Sequence, residues 1–120
     1  MADELLYERR PELERPVLVA AFRGWNDGGH GASLAVSHLA RHWDATRFAQ
    51  IDPELFFDFQ STRPQVTLID GVSRRLEWPE TVFFHARPAG ADRDVILLLG
   101  TEPNYRWRTF CDLVTGLARA

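Results

Sequence analysis

Apolar residues recur along this chain with two different periods, and the switches between them mark out the elements. A charged stretch over residues 1–15 reads as a peripheral N-terminal arm. Pro16 then opens Val17-Leu18-Val19-Ala20-Ala21-Phe22, a continuous apolar run of strand length. Such runs are expected to be buried on both faces, as in the middle of a parallel sheet. The glycine-rich stretch Arg23 to Gly31 reads as a turn. Ala32 to Trp43 reads as a helix with Ala35, Leu39 and Trp43 stacked at i, i+4 spacing. Thr46 to Ile51 is a second predicted strand, which completes a strand–helix–strand unit.

The middle of the chain changes rhythm. Gln65 to Ile69 and Ser73 to Trp78 flank Asp70-Gly71, a pair that tolerates the positive φ of a tight hairpin turn. Thr81 to Ala86 predicts a further antiparallel strand. After Asp94, Val95 to Leu99 is again uniformly apolar and is expected to rejoin the buried part of the sheet. Asn104 then stands as an N-cap for a helix that places Trp107, Phe110, Cys111, Val114, Leu117 and Ala118 on one face. Trp107 and Phe110 are expected to pack on the Val95–Leu99 strand, and Cys111 to be a buried, inert thiol. The fold class is α/β, with a mixed, mainly parallel sheet flanked by helices. Residues 16–120 make up one part of such a domain. A strand and helix leading to no further strand predict that this domain is truncated, with one side of Val95–Leu99 left unpaired.

Composition narrows the function. Seventeen acidic against fourteen basic residues give a net charge of −3 in a chain of 120 residues. That balance argues against a nucleic-acid surface or a polybasic membrane patch. All fourteen basic residues are Arg, which reads as codon usage in a GC-rich genome. One cysteine, Cys111, excludes an internal disulfide framework and favours a reducing cytoplasm. The longest apolar run, Val17 to Phe22, is too short to cross a membrane, and the N-terminus has no signal core.

Most recognised chemical motifs fail. Gly24 and Gly29 share the first interval of a phosphate loop, but His30-Gly31 stands where Lys and Ser/Thr are required. His38 and His42 sit one helical turn apart without a neighbouring base or an identifiable third metal ligand. No serine lies in a nucleophile elbow. Asp52, Glu54 and Asp58 are spaced closely enough for paired-carboxylate chemistry, yet Pro53, Phe56, Phe57 and Phe59 are interleaved with them, as in a structured loop.

A geometric argument remains. Three stretches, residues 23–31, 52–60 and 100–108, each begin where an apolar strand ends. In an open parallel sheet such loops share the edge where ligands bind. They nominate Trp25, Asn26, Asp27, Asp52, Glu54, Phe57, Asp58, Glu102, Asn104, Arg106 and Arg108 as a candidate interface or cleft. No catalytic residue, metal ligand or cofactor site is assigned.

At these same loops the sequence resembles the proteasome assembly chaperone 2 family, in its actinobacterial branch. The resemblance rests on Gly24-Trp25-Asn26-Asp27-x-Gly29 and on Ile51-Asp52-Pro53-Glu54-x-Phe56-x-Asp58-Phe59-Gln60. It continues through Thr62-Arg63-Pro64, Asp70-Gly71, Glu77-Trp78-Pro79 and Glu102-Pro103-Asn104-x-Arg106-Trp107-Arg108-Thr109-Phe110. It implies a fold similar to purine nucleoside phosphorylases and a cytoplasmic, non-enzymatic binding or assembly protein. Expected partners are proteins, with proteasome subunits among the candidates, and other copies of the chain; no cofactor, nucleic acid or membrane is expected. Family members are more than twice as long as this chain. The hydrophobic-tyrosine tail by which eukaryotic members dock has no counterpart in Ala118-Arg119-Ala120. The alternative is a small-molecule enzyme, or a binder of nucleosides or phosphorylated metabolites, using the same cleft.

Overall fold

The computed structural model describes residues 4–24 and 27–119. Along the chain run β1 (Leu5–Tyr7), β2 (Val17–Arg23), α1 (Gly31–His42), β3 (Thr46–Ile51), α2 (Pro53–Phe56), β4 (Gln65–Ile69), β5 (Ser73–Glu77), β6 (Thr81–Ala86), β7 (Val95–Thr101) and α3 (Trp107–Arg119). Five strands form one sheet in the order β1-β3-β6-β7-β2, while β4 and β5 pair only with each other.

The sheet is mixed and mostly antiparallel, not mainly parallel. Among the described residues, only β2 and β7 run side by side in the same direction; β1–β3, β3–β6 and β6–β7 are antiparallel. The eight residues between Ala86 and Val95 are too few for a helical crossover, so β6 and β7 close as a hairpin. The β2–α1–β3 unit is present, but β7 and β6 lie between its two strands.

Strand β7 organises two cores. Ile96 and Leu98 point to one face, where they meet Phe48, Phe56, Phe83, Phe110, Val114 and Leu117. Leu97 and Leu99 point to the other, with Ala21, Val36 and Val82. Helices α3 and α1 therefore cover opposite faces, which explains why every side chain from Val95 to Leu99 is apolar. In β3 the register against β6 shifts between Arg47 and Ala49, a bulge that lets both Phe48 and Ala49 enter the first core.

Several local expectations need correction. The apolar run of β2 lies at the sheet edge, not in its middle, and Val17 and Ala20 are exposed. Leu18 and Phe22 pack on one core and Val19 and Ala21 on the other, so burial on two faces does not require a central strand. Strand β7 is paired on both sides; the edge strands of the sheet are β1 and β2. In α1 the inward face is Ser33, Val36, Leu39, Ala40 and Trp43, and Ala35 is exposed. In α3 the inward row is Phe110, Val114 and Leu117, with Leu113 packed beside it. That row turns Cys111 to solvent and leaves Trp107 half exposed in the first turn.

The segment before Pro16 supplies β1 to the sheet and packs Leu5, Tyr7 and Leu13 against the first core. Its far end is held by the buried Asp94. The Glu14 N–H donates to Asp94 Oδ2 at 2.6 Å, and Arg87 Nε donates to Asp94 Oδ1 at 3.2 Å.

Candidate functional site

Strand β3 opposes β6, and β6 opposes β7, so β3 runs in the direction shared by β2 and β7. The loops that follow these three strands consequently leave from one edge of the sheet. Trp25 and Asn26, nominated from the first loop, lie outside the described residues.

Three acidic side chains of these loops, Asp27, Asp52 and Asp58, are engaged with backbone. Asp27 is buried; its carboxylate accepts from the N–H groups of Ala32 and Ser33 at 2.9 and 3.2 Å and from Ser33 Oγ at 2.6 Å. These bonds satisfy the first turn of α1, and the Ser33 hydroxyl chiefly holds the Asp27 carboxyl below its ordinary pKa. Asp52 caps α2 by accepting from the Glu54 N–H at 3.1 Å, with Pro53 at the first helical position. The Asp58 carboxylate accepts from Gln60 N and Ser61 Oγ, both at 3.0 Å.

Asn104 does not cap α3, which begins at Trp107. Its side-chain oxygen instead accepts from the Asp58 N–H at 2.7 Å and from Thr62 Oγ1 at 3.0 Å. Its own N–H donates to the Phe56 carbonyl at 2.9 Å, and Tyr105 Oη donates to the Phe57 carbonyl at 2.9 Å. The structure thus joins the second and third loops through Asn104, with Phe57 buried beneath them. Arg106 pairs with Glu4 at 2.8 Å, its guanidinium 5.1 Å from the centre of the Phe56 ring. Glu102 is half-buried just past β7, and Arg108 is exposed in the first turn of α3.

Between this edge and the β4–β5 hairpin lies a crevice of about 910 Å³. Arg23 and Thr101 line it from the ends of β2 and β7. Glu54, Phe59, Thr62 and Arg63 come from the second loop, and Arg75, Glu77 and Trp78 from the hairpin. Trp78 meets Phe59 edge-on at 5.0 Å. Of the residues nominated from sequence, Glu54 lines this crevice. The hairpin residues on its wall were not nominated, although Thr62-Arg63-Pro64 and Glu77-Trp78-Pro79 stood out in the chain. The signal available for them was a Trp directly after a hairpin strand carrying adjacent arginines. On α1, His38 and His42 stack with ring centres 5.8 Å apart on an exposed face away from this edge.

Mixed Arg and Glu with an aromatic rim can hold a polar polypeptide segment through charge-assisted hydrogen bonds and stacking. Among the described residues, no helix is long and apolar enough to cross a membrane.

Comparison with known proteins places this architecture. No curated protein matches the chain. The crystal structure of a proteasome-assembly chaperone homologue from Mycobacterium tuberculosis matches with 51% identity and a TM-score of 0.74, over 83% of this chain and 42% of its own. A PAC2 family protein from Streptomyces avermitilis matches with 45% identity and a TM-score of 0.70, over 87% of this chain and 44% of its own. A Mycobacterium tuberculosis protein of unknown function matches with 32% identity and a TM-score of 0.73, over 87% and 35%. The chain therefore spans less than half the length of these relatives. The profile of the PAC2 family covers residues 21–120, so the chain belongs to the PAC2 family.

Proposed function

We propose that the protein is a non-enzymatic binding and assembly protein of the proteasome-assembly-chaperone kind. It works in the cytoplasm as an oligomer and engages a partner protein at the crevice between the carboxyl-edge loops and the β4–β5 hairpin. One observation carries the reading. The three aspartates of these loops are spent on backbone N–H groups: Asp27 on α1, Asp52 on α2 and Asp58 on its own loop. Groups held in this way shape a surface rather than move protons. The crevice beside them presents arginines, glutamates and an aromatic rim, a composition suited to a polypeptide partner.

The test is affinity isolation of the tagged chain from its native cells, compared with Trp78→Ala and Arg75→Glu. The proposal expects proteasome α-subunits to co-purify with the parent chain and to be depleted at least tenfold by either substitution. Absence of proteasome subunits from the parent isolate would reject the proteasome assignment. Equal recovery with both variants would reject the crevice as the contact surface.

A further inference from the structure

The outer face of α1 carries two imidazoles that the rest of the molecule leaves unused. His38 and His42 stand one helical turn apart and are both exposed. Their rings lie nearly parallel, 14° between planes, with centres 5.8 Å apart. Neither lines the crevice. Among the described residues, neither ring takes part in a hydrogen bond or an ion pair. Imidazole suits late first-row divalent ions, and i, i+4 spacing puts the two Cβ atoms about 5–6 Å apart on one side of a helix. An ion held at about 2.0–2.1 Å from two neighbouring ring nitrogens keeps the ring centres about 4.5–5 Å apart. Closing from 5.8 Å to that separation takes about 1 Å, within reach of the broad χ2 torsion of an exposed histidine.

We propose that His38 and His42 form a two-imidazole site for a divalent late transition-metal ion, Cu(II) or Ni(II), whose remaining positions are filled by water. The donor set selects this class of ion. Among the described residues, no group of three or more His, Cys, Asp or Glu side chains is placed to hold a metal. A structural zinc site closes with four protein ligands, and hard ions such as Mg(II) take oxygen donors. Tetragonal and octahedral ions accept two nitrogens side by side and keep water elsewhere. Position on the helix adds to the selection. α1 ends at His42, so the pair lies toward the negative end of the helix macrodipole, where a cation is favoured. Arg41 flanks the pair and opposes the ion, but it is exposed, and water and salt screen its charge. The chelate ties positions 38 and 42 together and so stiffens the turn that carries Leu39, Ala40 and Trp43 onto the second core. An ion bound to the folded helix stabilises the chain by mass action. The site is independent of the crevice and of the proteasome.

Calorimetric titration of the untagged 120-residue chain with copper chloride and with nickel chloride tests it, with His38→Gln and His42→Gln alongside. His30→Asn is the control, since Asn tolerates the positive φ of 59° at that position. The expected result is one ion per chain, Cu(II) held more tightly than Ni(II), and a melting temperature raised by either ion. Each His→Gln change should weaken binding by about tenfold or more, because the second imidazole then no longer stands at high effective concentration beside the first. His30→Asn should change it by less than about threefold. The electron paramagnetic resonance spectrum of the parent with Cu(II) should show two imidazole nitrogens, a readout that does not depend on how the variants fold. Absence of saturable binding up to about 1 mM ion overturns the proposal. So does an affinity that both His→Gln variants retain, which moves the ion elsewhere, or a spectrum with a single nitrogen. A stoichiometry of two chains per ion overturns the closed pair within one helix.

Discussion

Two antiparallel strand pairs in this molecule, β4–β5 and β6–β7, have similar lengths and opposite surroundings. In β6–β7, Phe83, Ile96, Leu97 and Leu98 are completely buried between α1 and α3. In β4–β5, every side chain is exposed. Both pairs satisfy their shared backbone ladder, so hydrogen bonding does not separate them. Coverage does. A hairpin's register follows from its own residues, here from Asp70 and Gly71, which adopt φ of 55° and 70° at the turn. Whether its apolar face is filled depends on elements far away in sequence.

The contrast is broken most directly by truncating one side chain on each pair. Phe83→Ala should lower the stability of the chain by about 3–5 kcal/mol in a denaturant melt, since the ring is wholly enclosed and its cavity cannot close. A shift no larger than that of a surface control would mean that β6–β7 is not the core. Next in size is Gly100→Ala. A Cβ built there stands 2.6 Å from Thr81 Oγ1 and 2.9 Å from Thr81 Cα, on the strand directly opposite. Backbone cannot swing aside as a flexible side chain can, and overpacking of this sort costs about 1–3 kcal/mol in the same melt.

Smaller effects probe the loops. Asn104→Ala removes the acceptor shared by Asp58 N and Thr62 Oγ1 and should destabilise by about 1 kcal/mol, because both donors can turn to water. A loss above about 3 kcal/mol would show that these loops belong to the core rather than to the surface. Leu68→Ser on the exposed strand β4 should fall within about 0.5 kcal/mol. A core-sized loss there would erase the contrast between the two hairpins.

The smallest effect is a pH dependence carried by His85 on β6. Burial, partly offset by Asp94, lowers its pKa below the ordinary 6.5. The unfolded chain therefore takes up the proton first as the pH falls below 6.5. Stability declines from there until the folded imidazole is protonated too, then levels off. His85→Gln should flatten this part of a plot of melting midpoint against pH. An unchanged slope would locate the acid sensitivity elsewhere.

Much of the fold was legible because it is local. The strand bounds of β3, the Asp70-Gly71 turn and the inward row Phe110-Val114-Leu117 follow from periodicity over a few residues. Position in the sheet was not legible, because an edge strand packed by helices on both sides reads like a central one; β2 is the case in point. In α1 the error was a rotation of one residue, since Ala35 and Val36 fit an apolar helix face equally well. Of the candidate site, Asp27, Asp52 and Asn104 stand out in the sequence and turn out to tie backbone together, because a carboxylate that caps a helix and one that binds a ligand look alike in a loop sequence. The crevice wall from Arg75 to Trp78 depends on how the hairpin folds back over the edge, which no local pattern encodes.

The parallel pairing of β2 with β7 has a consequence for the order of folding. Val17 finds its partner only in Val95, and Arg23 in Thr101. During synthesis, β2 emerges well before β7 and waits until β7 has also left the ribosome, whereas β6 and β7 close a short loop soon after they appear. Closing so long a loop is entropically slow. Sequence separation thus predicts that β2 is captured by a preformed β6–β7 hairpin. Through that interval Val17-Leu18-Val19-Ala20-Ala21-Phe22 is the segment of the nascent chain most exposed to wrong partners.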